Sequence, residues 1–481
     1  MTEEPPPSET SSNPAPSAAD PPKRIVRRRR RRQTKNSDDD IPALEPALLE
    51  KVMKESGLPT AYSFEVPKTV ERIVKLRAKH VALQMPEGLL MYSTVLADVL
   101  QKLSQSLIAT ITQAKAEKSS ESTTNGGSAP TETNSPPSVC EQISVLGDVT
   151  YGACCIDDLG AQALGADLLV HYGHSCLVPL QHTVVPCLYV FVEIQMDVPH
   201  MVDSLDATIV QDTPDRNVVV YLLGTIQFRH CFGQAVELLQ AKGYETVFIP
   251  QVKPLSPGEV LGCTSPKLDH HQPDQKTVCC FVADGRFHLE STLISNPHIG
   301  IYYRYDPYGK SLTIESYGHE EMKSIRYAAI QQAKAAISYA STEKPATFGI
   351  ILGTLGRQGN PAIIQRIKSA LKQKQQSNGQ PTCRSFVMLL SEITPAKLAL
   401  LDSKVDVWVQ VACPRLSVDW GHFLSQNKKP VLSPYELFVA LEETEWKDVY
   451  PMDFYAQTGG PWANYHADNK AREITVGNSL S

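Results

Sequence analysis

Residues Gly147 to Asp158 read GDVTYGACCIDD, a cysteine doublet on a turn between an apolar run (Ile143, Val145, Leu146) and an amphipathic segment. Two other stretches share its surroundings: Val252 to Cys263, VKPLSPGEVLGC, and Val407 to Cys413, VWVQVAC. In each, a cysteine sits just past an apolar or turn-forming stretch. Three such places, far apart in the chain, organise the rest of the reading.

With 481 residues the chain has room for about three domains of ordinary size. A hydrophobic content of 42% and a charged content of 20% are those of a globular protein with a sizeable core. The net charge of −6 argues against non-specific nucleic-acid binding by the whole chain. No apolar run approaches the roughly 18 residues of a membrane helix, and no signal-peptide pattern opens the sequence. Eleven cysteines over this length are too sparse for a disulfide framework and read as reduced thiols in a cytoplasmic protein, some of them structural and some candidate metal ligands.

Taken in order, residues 1–40 form an arm rich in Pro, Ser and Glu, interrupted by the basic run KRIVRRRRRR from Lys23 to Arg32. The run reads as a nuclear address, an RNA or ribosome contact, or a solvated tail. A first α/β domain is expected over 41–205, with a disordered polar insertion at 116–139; a second over 206–330; a third over 331–447; and a tail over 448–481, polar and frayed at its end, whose aromatic run Tyr450 to Trp462 is expected to anchor the last domain or a partner subunit. Strands are expected at His80 to Gln84, Asp167 to Ser175, Leu188 to Ile194, Asn217 to Thr225, Val278 to Gly285, Ile299 to Pro307, Arg384 to Leu390 and Val405 to Val411, with helices between them. Strands buried on both faces and alternating with helices mean small parallel sheets. The matching turns LLGT at Leu222 and ILGT at Ile351, each opening a helix, support a triplicated, pseudo-symmetric plan.

In open α/β sheets functional groups collect at the carboxyl ends of the strands. A threefold arrangement would bring Cys154 or Cys155, Cys263 and Cys413 to one point. Taken singly, a cysteine is most often a small buried apolar residue. Taken together, the three are candidate metal ligands. Structural zinc closes with four ligands, usually paired as CxxC, and no CxxC occurs. A 4Fe–4S cluster held by three thiolates keeps one iron open. Cys140, Cys176, Cys187, Cys231, Cys279, Cys280 and Cys383 read as structural.

The set GDVTYGACCIDD, VLGCTSP, ILGTLGRQGNP and QVACPRLSVDW resembles the subunit-1 family of eukaryotic diphthamide synthesis, the 2-(3-amino-3-carboxypropyl)histidine synthases. The resemblance runs from about Leu58 to His466. It implies three α/β domains around a central iron–sulfur site, with Cys154, Cys263 and Cys413 as ligands of a 4Fe–4S cluster whose open iron binds S-adenosylmethionine. It implies radical transfer of a 3-amino-3-carboxypropyl group to C2 of a histidine in elongation factor 2. It also implies a heterodimer with a related second subunit and a small metalloprotein as electron donor. The doublet leaves open which of Cys154 and Cys155 points inward.

The turns Glu87-Gly88, Gly224-Thr225 and Gly353-Thr354 are candidate carboxylate-binding sites through backbone N–H groups, and Arg357 and Gln358 are candidate side-chain donors to the same cofactor. His171 and His174 read first as structural histidines and second as groups that orient substrate. Asp157, Asp158 and Asp419 read first as helix-start residues. Two alternatives stand beside the resemblance: a quinolinate-synthase-like condensing enzyme built on the same plan, and a non-catalytic scaffold whose cluster passes electrons.

Overall fold

The crowded carboxyl ends of three short parallel sheets set the architecture. The computed structural model describes residues 41–121, 138–147, 156–173, 178, 180, 183–269, 275–377, 383–423, 428–464 and 466. The basic arm, the centre of the polar insertion, Cys154, Cys155, His174 and Cys176 lie outside them.

The first layer opens with helix α1 (Pro46–Ser56), which has Pro at its first turn and ends on Gly57 at φ 71°. Strand β1 (Tyr62–Ser63), helix α2 (Val66–Leu76) and strand β2 (His80–Gln84) follow. Helix α2 turns Val66, Val70, Ile73 and Val74 to the core, the spacing of one helical face. Helix α3 (Ser93–Glu121), strand β3 (Gln142–Leu146), helix α4 (Asp158–Ala163), and strands β4 (Leu168–Tyr172), β5 (Cys187–Val190) and β6 (Glu193–Ile194) complete the layer. The sheet is parallel, in the order β3-β2-β4-β5. Two expectations change here. Helix α3 continues through 116–121, so the polar insertion begins later than composition suggests. The run Leu188 to Ile194 is two strands, because Val192 takes φ 38° and β6 pairs antiparallel with β1.

The second layer holds α5 (Val198–Asp212), β7 (Val218–Gly224), α6 (Phe232–Ala241), β8 (Thr246–Phe248), β9 (Lys276–Val282), α7 (Phe287–Ser295), β10 (Ile301–Asp306) and β11 (Ser311–Glu315). The order is β11-β10-β9-β7-β8. All neighbours are parallel except β11, which folds back on β10 through a turn in which Asp306 accepts from the amides of Tyr308 and Gly309. Every residue of β7 is buried, as a central strand covered on both faces requires.

The third layer holds α8 (His319–Ser338), β12 (Ala346–Gly353), α9 (Pro361–Ser377), β13 (Cys383–Leu390), α10 (Pro395–Ala399), β14 (Val407–Val411), α11 (Arg415–Trp420), β15 (Val431–Leu432) and α12 (Pro434–Ala440). Its sheet is parallel, in the order β13-β12-β14-β15.

The borders expected at 205/206 and 330/331 each fall inside a helix. Met201, Leu205 and Ile209 of α5 share a core with Val218, Val220 and Leu222, so the whole helix belongs with the second sheet. Met322, Ile330 and Ile337 of α8 pack with Phe348, Ile350 and Ile363 of the third.

The described part of the tail is packed into the core. Tyr450, Met452, Phe454, Tyr455 and Trp462 are buried in the third-layer core together with Cys263. Trp462 Nε1 donates to Asp453 Oδ1 at 2.7 Å, and the Trp462 and Tyr435 rings meet edge to face with centroids 4.8 Å apart.

Beneath this tail Arg326 of α8 meets Glu436 of α12, both fully buried, through two bonds of 2.6 and 2.7 Å. Glu436 also closes a capping box with Ser433 and accepts from the Tyr450 hydroxyl at 2.9 Å. Burial, and then the Glu436 charge, push the Tyr450 phenol well above its ordinary value, so it remains a neutral donor. Replacing one member of a buried pair strands the other charge. Glu436→Gln should therefore lower the unfolding free energy by about 3–5 kcal/mol in urea denaturation. A loss under about 1 kcal/mol would mean that solvent reaches the pair.

Candidate metal centre

Cys263 follows Gly262 on a tight turn in which the Leu261 and Thr264 amides each donate to the other's carbonyl, at 3.0 and 3.1 Å. The turn needs glycine: a Cβ on Gly262 would lie 2.2 Å from the Phe287 ring. The Thr264 hydroxyl donates toward the Cys263 sulfur at 3.8 Å. The C-terminal run covers this turn. The Ser265 amide donates to Met452 O at 3.0 Å, the Phe454 amide to Cys263 O at 3.3 Å, and the Tyr455 amide to Thr264 Oγ1 at 3.0 Å.

Cys413 leaves the carboxyl end of β14 and precedes α11. Gln410 Nε2 donates to Cys413 O at 3.1 Å and to Ser417 Oγ at 3.0 Å, which holds the turn from below. Gly353, at the end of the neighbouring strand β12, is again a matter of space, since a Cβ there would lie 2.6 Å from that of Ala412. Of the eight described cysteines only Cys413 is not buried.

One side chain touches both turns. Arg415, buried and two residues past Cys413, donates Nη1 to Gly262 O at 3.2 Å and to Phe287 O at 2.7 Å. Its Nε reaches both Asp419 oxygens at 2.9 Å, its Nη2 binds Glu290, and its plane lies 4.5 Å from the Phe287 ring centroid. Burial raises the Asp419 carboxyl against the pull of Arg415. Asp419 is thus the partner of Arg415 near the end of α11, not a helix-start residue.

The exit from the Cys154-Cys155 segment is anchored too. The Asp157 amide donates to Gln84 Oε1 at 3.0 Å, and Gln84 also meets His171 Nδ1 at 3.1 Å. Asp157 caps α4 through the Gly160 amide at 2.9 Å, as expected. Asp158 is buried and takes both Nε and Nη2 of Arg357, at 2.7 and 2.9 Å, and the Val184 amide at 2.7 Å.

Four of the eight expected cofactor-binding residues have donors already engaged within the chain. The Arg357 fork faces Asp158 of this chain. The Gly224 amide donates to Gly258 O at 2.9 Å, the Thr225 amide to Val282 O at 3.2 Å, and the Thr354 amide to Leu390 O at 2.9 Å. These N–H groups close turns and are spent within the protein. Glu87 and Gly88 are exposed at the start of a short 3₁₀ turn after β2, and Gln358 is buried beside Gly353. The Thr225 hydroxyl is buried and has no hydrogen-bond partner among the described residues. Arg415, Glu290 and Phe287 went unremarked in the sequence. The signal for the first was an Arg four residues before an Asp on a helix.

The model of the diphthamide synthesis protein family matches residues 85–451. The chain belongs to this family. It is 45% identical over 421 residues to 2-(3-amino-3-carboxypropyl)histidine synthase subunit 1 of Mus musculus, covering 87% of this chain and 81% of that one. The subunit 1 of Schizosaccharomyces pombe is 43% identical over 434 residues, covering 89% and 85%. Among solved structures, Dph2 from Pyrococcus horikoshii with a 4Fe–4S cluster shares the fold at a TM-score of 0.56 and 21% identity, covering 83% of this chain and 97% of that one. A second structure of the same Dph2 gives 0.55 and 23%, covering 80% and 92%. With the family shown, the quinolinate-synthase alternative loses its ground.

Burial sets four of the remaining cysteines apart from an ordinary thiol. Burial pushes Cys140 and Cys187 up to about 11 and Cys280 to about 12, and raises Cys279 well above the ordinary thiol value. Since the thiolate is the nucleophile, these four should resist iodoacetamide at pH 8 in the folded, cluster-free protein. Among the described cysteines Cys413 should be alkylated first, as read by peptide mass spectrometry. Labelling of Cys279 or Cys280 at the same rate would show that the second-layer core opens.

Proposed function

We propose that the chain is the catalytic iron–sulfur subunit of the first step of diphthamide synthesis. In this reading it transfers a 3-amino-3-carboxypropyl group from S-adenosylmethionine to C2 of a histidine in elongation factor 2 by a radical mechanism. The observation that carries the reading is the joining of the Cys263 and Cys413 turns, 150 residues apart, through Arg415 in a member of this family.

The residues fit a cluster. The donor set is thiol, the hydroxyl of Thr264 approaches one sulfur, and the two described turns come from the ends of different layers. Cys154, outside the described residues, is the third proposed ligand, and its chain is pinned at Asp157 and Asp158 close by in sequence. A 4Fe–4S cluster held by three cysteines supplies an electron and one open iron position. The chain's own work is to hold the thiolates, with the tail from Met452 to Tyr455 covering the Cys263 turn against water. The unpartnered Thr225 hydroxyl and the exposed Glu87-Gly88 turn remain the candidate contacts for S-adenosylmethionine.

The same reading gives the chain a homologous second subunit, a small metalloprotein electron donor and a cytoplasmic location. No described helix is long and apolar enough to cross a membrane. In this reading the arm from Lys23 to Arg32 assists encounter with ribosomes or RNA through salt-sensitive attraction to phosphate.

Protein purified without oxygen should carry about four irons per chain. Cys154→Ala, Cys263→Ala and Cys413→Ala should each strip the iron, while Cys383→Ala, a buried residue at the start of edge strand β13, should keep it. Given a reductant and S-adenosylmethionine, the iron-loaded chain with its partner should release 5′-methylthioadenosine. Retained iron without that release would support the electron-passing scaffold instead.

A further inference from the structure

We infer that Arg415 is a positioning residue that sets the spacing between Cys263 and Cys413 before any metal arrives. The inference rests on the shared centre proposed above and adds the device that builds it. Arg415 lies two residues past one thiol, and its Nη1 binds the carbonyl of the residue just before the other. Its remaining donors are fixed by Asp419 on its own helix and by Glu290 and Phe287 O on α7. Four acceptors from two layers therefore fix one planar group.

Neither thiol turn could drift without breaking a buried, charge-assisted bond. The ring of Phe287 closes the arrangement, pressed on one side by Gly262 and lying beneath the guanidinium on the other. A lysine could not substitute. Its ammonium keeps the charge but has three donors on a point and no fork, so it cannot reach Asp419, Glu290 and the two carbonyls together.

The test uses Cd²⁺ alone as probe on the full-length, cluster-free chain. Thiolate-to-cadmium charge-transfer absorption reports how many sulfurs share the ion, independently of iron and of turnover. C263S and C413S define the loss of one thiolate each. R415K should weaken Cd²⁺ binding about 10- to 100-fold, and its band per bound ion should fall toward that of C263S. L205A, which opens a cavity in the second-layer core away from the turns, should lower the unfolding midpoint and leave Cd²⁺ binding unchanged.

Wild-type binding in R415K, beside a clear C263S effect, overturns the positioning role and leaves the shared centre standing. A band in the wild type that C263S does not reduce overturns both, because the two thiols then do not share an ion. Should R415K fail to fold by circular dichroism, E290A, which withdraws the Nη2 partner, must weaken binding in the same direction or the inference falls.

Discussion

The buried pair of Arg326 and Glu436 supports more of this molecule than its own two helices. Glu436 holds the Tyr450 hydroxyl, and Tyr450 begins the aromatic run whose backbone, from Met452 to Tyr455, pairs with Cys263, Thr264 and Ser265. A charge pair in the third layer thus fixes the lid over a cysteine turn of the second. Such pairs contribute little net stability against an apolar alternative, but they tolerate few other arrangements of the chain around them. The arrangement selected here is the one that brings the tail back to the Cys263 turn.

The three layers resemble one another in plan and differ in duty. The third contributes both guanidinium contacts that cross between layers, Arg357 to Asp158 of the first and Arg415 to the α7 region of the second. Arg357 sets its planar fork against one carboxylate, while Arg415 spreads its donors over Glu290 and two backbone carbonyls.

Much of the plan was legible in sequence because its signals are local. Buried runs such as Val218 to Gly224 can only be central strands, and Gly353 and Gly262 mark places where a side chain does not fit. What sequence missed depends on tertiary partners. Helices α5 and α8 carry no local mark of which sheet will claim them, so the expected borders cut through both. Strand β11 is a short edge strand with weak alternation. The aromatic tail reads as an anchor in sequence, but its partners on the Cys263 turn do not show there. The role of Arg415 between the turns is hidden for the same reason, since all its acceptors but Asp419 lie some 125 to 153 residues away. The glycine turns misled in the opposite sense, being read as open donors when neighbouring carbonyls already occupy three of their amides.

Helix α3 has its own consequence for how this chain can vary. Gln101 already donates to Cys140 O and Glu141 O, at 3.1 Å each, so the helix is level with the start of β3 by that point. It then continues to Glu121, about 30 Å further at 1.5 Å per residue. Segment 122–137, outside the described residues, therefore connects the end of this long helix to the start of β3. Lengthening it costs only about 0.6 kcal/mol of closure entropy per doubling. A change in its length therefore acts between α3 and β3, elements whose described contacts include neither Cys263 nor Cys413.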